Sequence, residues 1–353
     1  MRFLVDLCHP GHVHFFRPVL ARLQAEGHQL LVTARDKDVT VELLRAYAIP
    51  HRVLSRLGGS RASLYLEFAR RFAALHREIR RFRPQLLAGV GGIFLAPLGR
   101  LTRTPSLIFT DTEHAATDPY LTYPWATRIC TPAVFRKEIG PRQVRYRGLH
   151  ELAYLHPRRF QPNPQVRREL GLGAAEPFSV LRFISWQAAH DKGAQGLSRE
   201  LQEEALRLLS QHGRVFLSSE KELPPEWRAH ALPVPVHRLH QVLALADLYL
   251  GEGATMATEA ALLGTPSVYV SSLVGTMGNF EALREAGLVL SFHRGEDALQ
   301  QAARLLADPA AKASWRARAL AFADAHVDVA DFTYRQMIEM ATARGLAPPP
   351  PTA

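Results

Sequence analysis

Short apolar runs alternate with amphipathic stretches along nearly the whole chain. In the first half the runs are Phe3–Leu7, Leu30–Thr33, Arg52–Leu54, Leu86–Val90, Ser106–Thr110 and Arg128–Cys130. Between them Val13, Phe16, Leu20 and Leu23 recur at helical spacing before Gly27. Phe68, Phe72, Leu75, Ile79 and Phe82 mark the apolar face of a second helix. The second half repeats the alternation, with strands at Phe178–Ile184, Val215–Ser218, Leu248–Leu250, Ser267–Val270 and Leu288–Leu290. Helices fall around Glu200–Leu209, Val242–Ala246, Met256–Leu263 and Glu281–Ala286. Strands separated by helices in this way predict an α/β fold class: two Rossmann-like, doubly wound parallel sheets with helices on both faces.

A proline- and charge-rich stretch, His156–Pro164, divides the halves. The expected domains are 1–160 and 165–330. A C-terminal helix at 331–345 is expected to pack back on the first domain, and 346–353 to form a disordered tail. A chain of 353 residues suits two domains of ordinary size. In facing doubly wound sheets, ligands belong in a cleft beyond the carboxyl ends of the strands, so the loops that follow strands are where chemistry is expected.

The 43 Lys and Arg exceed the 33 Asp and Glu, giving a formal charge of +10. Such a surface attracts phosphates of any kind. No helix-turn-helix, zinc-finger or RNA-binding signature accompanies it, so nucleic acid is not an expected partner. The two cysteines, Cys8 and Cys130, form no CxxC pair, which argues against a disulfide scaffold or zinc knuckle and fits a reducing cytosol. The opening MRFLVDLCHPGH breaks at His9-Pro10 and reads as a buried strand rather than a signal peptide. Arg70, Arg71, Arg77, Arg80, Arg81 and Arg83 form a basic face opposite the second helix's apolar stripe. It is either plain solvated surface or a contact with anionic lipid.

The loop after the first strand reads Cys8-His9-Pro10-Gly11-His12-Val13-His14. Gly11 suits a tight turn and the close approach of a ligand. The following helix points its free N–H groups at the loop. Three histidines here titrate near neutrality. A metal site lacks an acidic partner or a second histidine pair; local capping would occupy some of the rings. His12, beside the glycine, is the expected general base. A second glycine loop, Gly89-Val90-Gly91-Gly92, suits a sugar or phosphate, or an empty tight turn. Asp111-Thr112-Glu113-His114 ends another strand in ionisable groups, where Asp111 and Glu113 would orient hydroxyls or act as acid and base, or simply cap a helix.

The richest segment runs from Leu250 to Pro266: strand, glycine turn, helix, then Gly264-Thr265-Pro266. Gly251, Gly253, Ala254, Thr255 and Met256 leave backbone N–H groups at a helix N-terminus, suited to a diphosphate. Glu259 lies one turn beyond Thr255, where a carboxylate accepts both hydroxyls of a ribose. Arg182 would neutralise a phosphate, with Ser185 adding a donor. Ser219 ends the next strand, and His237 and Arg238 precede the helix before the glycine turn; each also suits plain surface.

The 250–266 segment resembles the donor-nucleotide motif of GT-B glycosyltransferases, notably the transferase that adds N-acetylglucosamine to the peptidoglycan lipid precursor. Gly11-His12 resembles that family's first glycine-histidine loop, although those transferases carry a richer glycine loop where this chain has Cys8-His9-Pro10. The fuller pattern is closer to a family of archaeal and bacterial proteins of unknown function, itself similar to GT-B transferases and to non-hydrolysing UDP-N-acetylglucosamine 2-epimerases. That pattern comprises His9–Phe16, Asp111–His114, Glu151–Pro157 and Trp186–Asp191. The resemblance spans nearly the whole chain. It implies a GT-B fold and a metal-independent glycosyltransferase of glycan or polysaccharide synthesis. It also implies a UDP-sugar as substrate rather than cofactor, His237 and Arg238 near the base, and an acceptor that is lipid-linked if the basic face meets a membrane. The expected location is cytoplasmic, peripheral to the inner membrane face in that case. An epimerase using Asp111 and Glu113, and a non-catalytic nucleotide-sugar binder, are the alternatives. All of these readings hang on the amides near Ala254–Met256 holding a pyrophosphate while Glu259 grips the neighbouring pentose; a carboxylate turned into the interior would make the sugar-nucleotide reading collapse.

Overall fold

The computed structural model describes residues 1–58, 61–113, 115, 117–184, 197–219, 222–272, 275 and 277–345. The chain folds into two compact units. Unit 1 comprises Met1–Tyr154 and Val327–Ala353; unit 2 comprises Leu155–His326. The chain leaves unit 1 once and returns to it as the helix Val329–Gly345. That helix lies against the helix Pro10–Ala25 of the same unit. Arg22 bonds Asp331 at 3.0 Å and stacks 3.4 Å over the ring of Tyr334, whose hydroxyl donates to Glu26 at 2.6 Å. The expected tail at 346–353 lies outside the described residues.

Unit 1 is built on seven parallel strands: β1 (Arg2–Leu7), β2 (Gln29–Asp36), β3 (Arg52–Arg56), β4 (Leu86–Val90), β5 (Ser106–Phe109), β6 (Arg128–Pro132) and β7 (Gln143–Tyr146). Their order is β3-β2-β1-β4-β5-β6-β7. Unit 2 has five parallel strands: β8 (Phe178–Phe183), β9 (Arg214–Ser219), β10 (Leu248–Gly251), β11 (Ser267–Val270) and β12 (Val289–Phe292), in the order β12-β11-β10-β8-β9. Both are doubly wound, but differently. Unit 1 starts in the middle and lays two strands to one side before crossing to the other. Unit 2 lays one strand to the side before crossing. The winding therefore reverses between β1 and β4 in unit 1, and between β8 and β10 in unit 2. Ligand sites of open α/β sheets belong at such reversals.

Central strands carry the core. Phe3, Leu4, Val5 and Leu7 of β1 are fully buried, as are Leu86, Leu87 and Ala88 of β4. Leu75 and Ile79 of the long helix Arg61–Phe82 pack on them, with Ile108 and Ile129 from β5 and β6. A strand covered on both faces reads as a continuous apolar run, which is why these strands stood out in the sequence. β7 did not: Gln143-Val144-Arg145-Tyr146 is a half-exposed edge strand with no such run. The helices Gly295–Ala307 and Ala311–Asp324 also went unforeseen.

Candidate functional site

At the reversal of unit 1, β1 delivers Asp6 and Cys8 beside the end of β4. Asp6 pairs in register with Gly89. Asp6 sits within the apolar run and is buried, so its charge needs partners. It has three. Thr33 donates to Oδ1 at 2.6 Å, Arg71 reaches the same oxygen at 2.6 Å, and the Cys8 thiol donates to Oδ2 at 3.4 Å. Arg71 is completely buried and also donates to the carbonyl of Ala34 at 3.0 Å. This corrects the expectation that Arg71 belongs to a solvated basic face. Burial and the Asp6 carboxylate push the Cys8 thiol far up, so it is an inert hydrogen-bonding group. Beside this network Arg35 is clamped by Glu67 through both carboxylate oxygens, and Ser55 donates to the same carboxylate at 2.6 Å. Burial opposes the charge of Glu67, but Arg35 and Ser55 outweigh it and hold the carboxyl below its usual range.

A cavity of about 180 Å³ opens on this edge, lined by Asp6, Cys8, His12, Arg35, Gly91 and Phe94 among others. Gly91 has φ +67, the left-handed turn that lets the chain leave β4. A larger hollow of about 280 Å³ lies beside the first half of β2, over Leu20, Leu30, Val32 and Tyr47. Its lining holds no carboxylate and lies toward the amino ends of β2 and β3, away from the carboxyl ends.

The three histidines of the first loop divide their work. His9 caps the helix Pro10–Ala25, its Nδ1 accepting from Gly11 N–H at 3.2 Å. Gly11 is therefore a helical residue with its amide spent, not the tight turn expected to face a ligand. His14 is buried among aromatic rings, 5.3 Å from that of Tyr154. Only His12 lines the cavity. Its Nδ1 accepts the N–H of Cys8 at 3.3 Å, so Nε2 carries the proton. Burial first, and the neighbouring His9 and His150 next, hold its pKa well below 6.5. A neutral imidazole that presents N–H is a donor. In this arrangement the Cys8 amide occupies Nδ1, one of the two nitrogens through which the expected general base could act.

Asp111 ends up beside His150, 3.2 Å from its Nδ1. Burial disfavours charge on both, but each holds the other ionised: Asp111 falls below, and His150 rises above, its ordinary value. The His150 ring lies between Phe15, at 4.9 Å, and Tyr146, stacked at 6.4 Å. Asp111 stays about one-fifth exposed. Glu113 is buried and accepts the N–H of Arg136 at 3.3 Å, so it braces its loop rather than standing open as an acid or base. His114 lies outside the described residues.

At the reversal of unit 2, Arg182 of β8 pairs in register with Gly251 of β10. A Cβ at Gly251 would stand 2.7 Å from both the Cβ and the carbonyl oxygen of Arg182, and one at Gly253 would stand 3.2 Å from its Cγ. These glycines make room for the arginine stem and its backbone. The guanidinium donates to Ser218 at 2.9 Å, and Ser218 in turn lies 3.9 Å from the sulfur of Met256. Gly253 caps the helix Ala254–Leu262 without a side-chain hydrogen bond, and no acid lies in the first turn. Thr255 is exposed there and Ala254 half-buried. Half-buried Ser219 ends β9 opposite Phe183. His237 and Arg238 form a short 3-10 turn, where Arg238 is held by Glu169 at 3.0 and 2.5 Å rather than left for a base. Ser185 lies outside the described residues, as do Trp186–Asp191 and Glu220.

Residues 1–278 match the protein family described as "Protein of unknown function (DUF354)". The chain belongs to that family. Among curated relatives, the uncharacterized protein MJ0665 of Methanocaldococcus jannaschii is 25% identical over 283 residues, spanning 77% of this chain and 82% of its own length. Among solved structures, the fold is similar to UDP-GlcNAc 2-epimerase from Neisseria meningitidis bound to UDP-GlcNAc, at TM-score 0.66 and 12% identity over 97% of this chain and 100% of that one. The spinosyn rhamnosyltransferase SpnG complexed with thymidine diphosphate follows at 0.62 and 16%, over 96% and 100%. The Streptomyces sp. SF2575 glycosyltransferase SsfS6 stands at 0.61 and 16%, over 96% and 99%. The DUF354 chain therefore has the GT-B fold.

One expectation for this DUF354 protein fails in its original form. Glu259 is buried, only 4% of its side chain exposed, and accepts a hydrogen bond from His240 Nε2 at 2.9 Å. From Met256 onward the helix Ala254–Leu262 is buried, so one turn beyond the exposed Thr255 the chain is already in the interior. The carboxylate is a partner of His240, not an open grip for a ribose. Other residues of the site were missed altogether. Glu252, buried, accepts the N–H groups of Ile184 (3.1 Å) and Leu197, tying the two ends of the 185–196 segment to one carboxylate. Asp6 inside an apolar run and Arg71 at helical spacing between Phe68 and Leu75 were signals in plain view. His150 carried none, since its partner is remote in sequence.

Proposed function

We propose that this protein is a glycosyltransferase-like enzyme that binds a nucleotide diphosphate sugar, a UDP-sugar above all, through the reversal point of unit 2. The observation that carries the reading is the pairing of Arg182 with the uncapped, acid-free N-terminus of the helix Ala254–Leu262. Backbone N–H groups there and a guanidinium on the next strand supply fixed positive charge without any reorganisation. That combination suits a diphosphate both as a ligand and as a leaving group. Glu259 is buried and gives no ribose contact, so in this reading the phosphates bear the binding alone. On unit 1, His12 donates a hydrogen bond to the acceptor. Asp111, the more exposed member of its pair, takes the acceptor's proton while His150 balances its charge.

A thermal-shift screen with UDP, UDP-N-acetylglucosamine and thymidine diphosphate tests the reading. The melting temperature should rise with at least one of them, and Arg182→Gln should weaken that ligand by roughly tenfold to a hundredfold, the worth of a charge-assisted hydrogen bond. No shift with any of the three ends the proposal. Conversion of UDP-N-acetylglucosamine without an acceptor would replace transfer by epimerisation.

A further inference from the structure

The helix Arg61–Phe82 carries a surface that neither the core nor the cavity uses. Leu66, Arg70, Ala73, Arg77 and Arg80 follow at steps of three and four residues, and all are exposed, so they form one outward stripe. Its N-terminal end is apolar: Leu66 is 50% exposed, and Tyr65 beside it is 79% exposed. Val53 and Leu57, also exposed, lie on and just beyond β3. The rest of the stripe is basic. The only two acids of the helix are already spent, Glu67 on Arg35 and Glu78 on Arg52 at 2.6 Å. Among the described residues, Arg70, Arg77, Arg80 and Arg81 have no acidic partner.

We infer that this face docks unit 1 on an anionic phospholipid bilayer. The arginines would lie over the headgroups, each contributing about 1 kcal/mol, and Tyr65 and Leu66 would enter the boundary between headgroups and acyl chains. Nucleic acid would answer the arginines but leave the neighbouring apolar end in water. A bilayer satisfies both halves of the face at once. The helix that carries the patch also backs the cavity: its inward Glu67 clamps the Arg35 that lines it, while Leu66 faces out. Docking therefore holds the cavity one helix away from the lipid. Resting on the transfer reading above, this assigns the acceptor to the amphiphiles: a hydroxyl- or phosphate-bearing head on a lipid.

Sedimentation of the full-length protein with vesicles tests the docking without any nucleotide sugar, so its failure is distinct from failure of the transferase reading. Vesicles of phosphatidylglycerol with phosphatidylcholine should bind the protein, and phosphatidylcholine alone should not. Combined Arg70→Glu, Arg77→Glu and Arg80→Glu substitutions should weaken binding by on the order of a hundredfold or more. A Tyr65→Trp variant should show an emission blue shift with anionic vesicles and none with duplex DNA. Equal binding to both vesicle types, indifference to the charge reversals, or an indole that stays in water on bound vesicles would each overturn the proposal.

Discussion

The two strand-edge sites solve opposite electrostatic problems. At the edge of unit 1 the buried charges pair with one another: Asp6 with Arg71, Glu67 with Arg35, Asp111 with His150. In unit 2 a single guanidinium stands beside a helix start whose amides lack a side-chain cap. A balanced, buried network holds geometry and poises protons, because any unpaired charge there would be costly. The edge of unit 2 carries helix amides with no side-chain cap beside an arginine bonded to Ser218. The difference teaches that the same kind of sheet and the same kind of reversal can hold paired buried charges in one unit and helix-start amides beside an arginine in the other.

The sharpest way to break this contrast is to unbalance unit 1. Arg71→Ala leaves Asp6 buried and uncompensated, and should cost about 3–5 kcal/mol in urea unfolding. If it costs under about 1 kcal/mol, the network is not what sets that edge. On unit 2, Gly251→Ala forces a Cβ against Arg182, and should cost about 1–3 kcal/mol. The close atoms are the Cβ and carbonyl oxygen of Arg182, both kept by alanine, so Gly251→Ala should cost as much with Arg182→Ala as without it; a recovery would show that the guanidinium rather than the crowding governs that position.

Titration sharpens the comparison within unit 1. Below the ordinary histidine value of 6.5, the unfolded chain protonates both His12 and His150. Folded His12 stays neutral, so its part of the stability falls as pH drops through 6.5. Folded His150 keeps its proton because Asp111 outweighs burial, so its part is complete below 6.5 and is lost as pH rises through the folded value. The slopes oppose each other. His12→Gln should flatten the acid side of a stability-against-pH curve, and His150→Gln the side above 6.5. A smaller effect is expected at Glu259. Glu259→Gln should change UDP affinity less than about threefold while lowering stability by about 1–3 kcal/mol, since a buried hydrogen bond is weakened. A large loss of affinity with intact stability would restore the ribose grip.

The fold was legible because buried parallel strands betray themselves as apolar runs, and β4 and β11 fall on the residues expected from the sequence. The site was legible only in outline. Arg182, Gly251 and the start of the helix Ala254–Leu262 do come together, since a glycine turn after a strand is a local feature. What eluded sequence reasoning is pairwise and long-range: His240 with Glu259, His150 with Asp111, Glu252 with two backbone amides. Each depends on which strand ends become neighbours, and local periodicity does not encode that. Arg71 shows the other failure. Among several arginines on one helix, it alone occupies an inward position, and only the carboxylate of β1 explains it.

The register match between Arg182 and Gly251 has an evolutionary cost. Any side chain gained at 251 meets the Cβ and the carbonyl oxygen of residue 182, and the carbonyl stays whatever residue 182 becomes. Shortening 182 therefore discards the guanidinium without freeing its neighbour, so 251 is expected to stay glycine even in relatives that have changed 182.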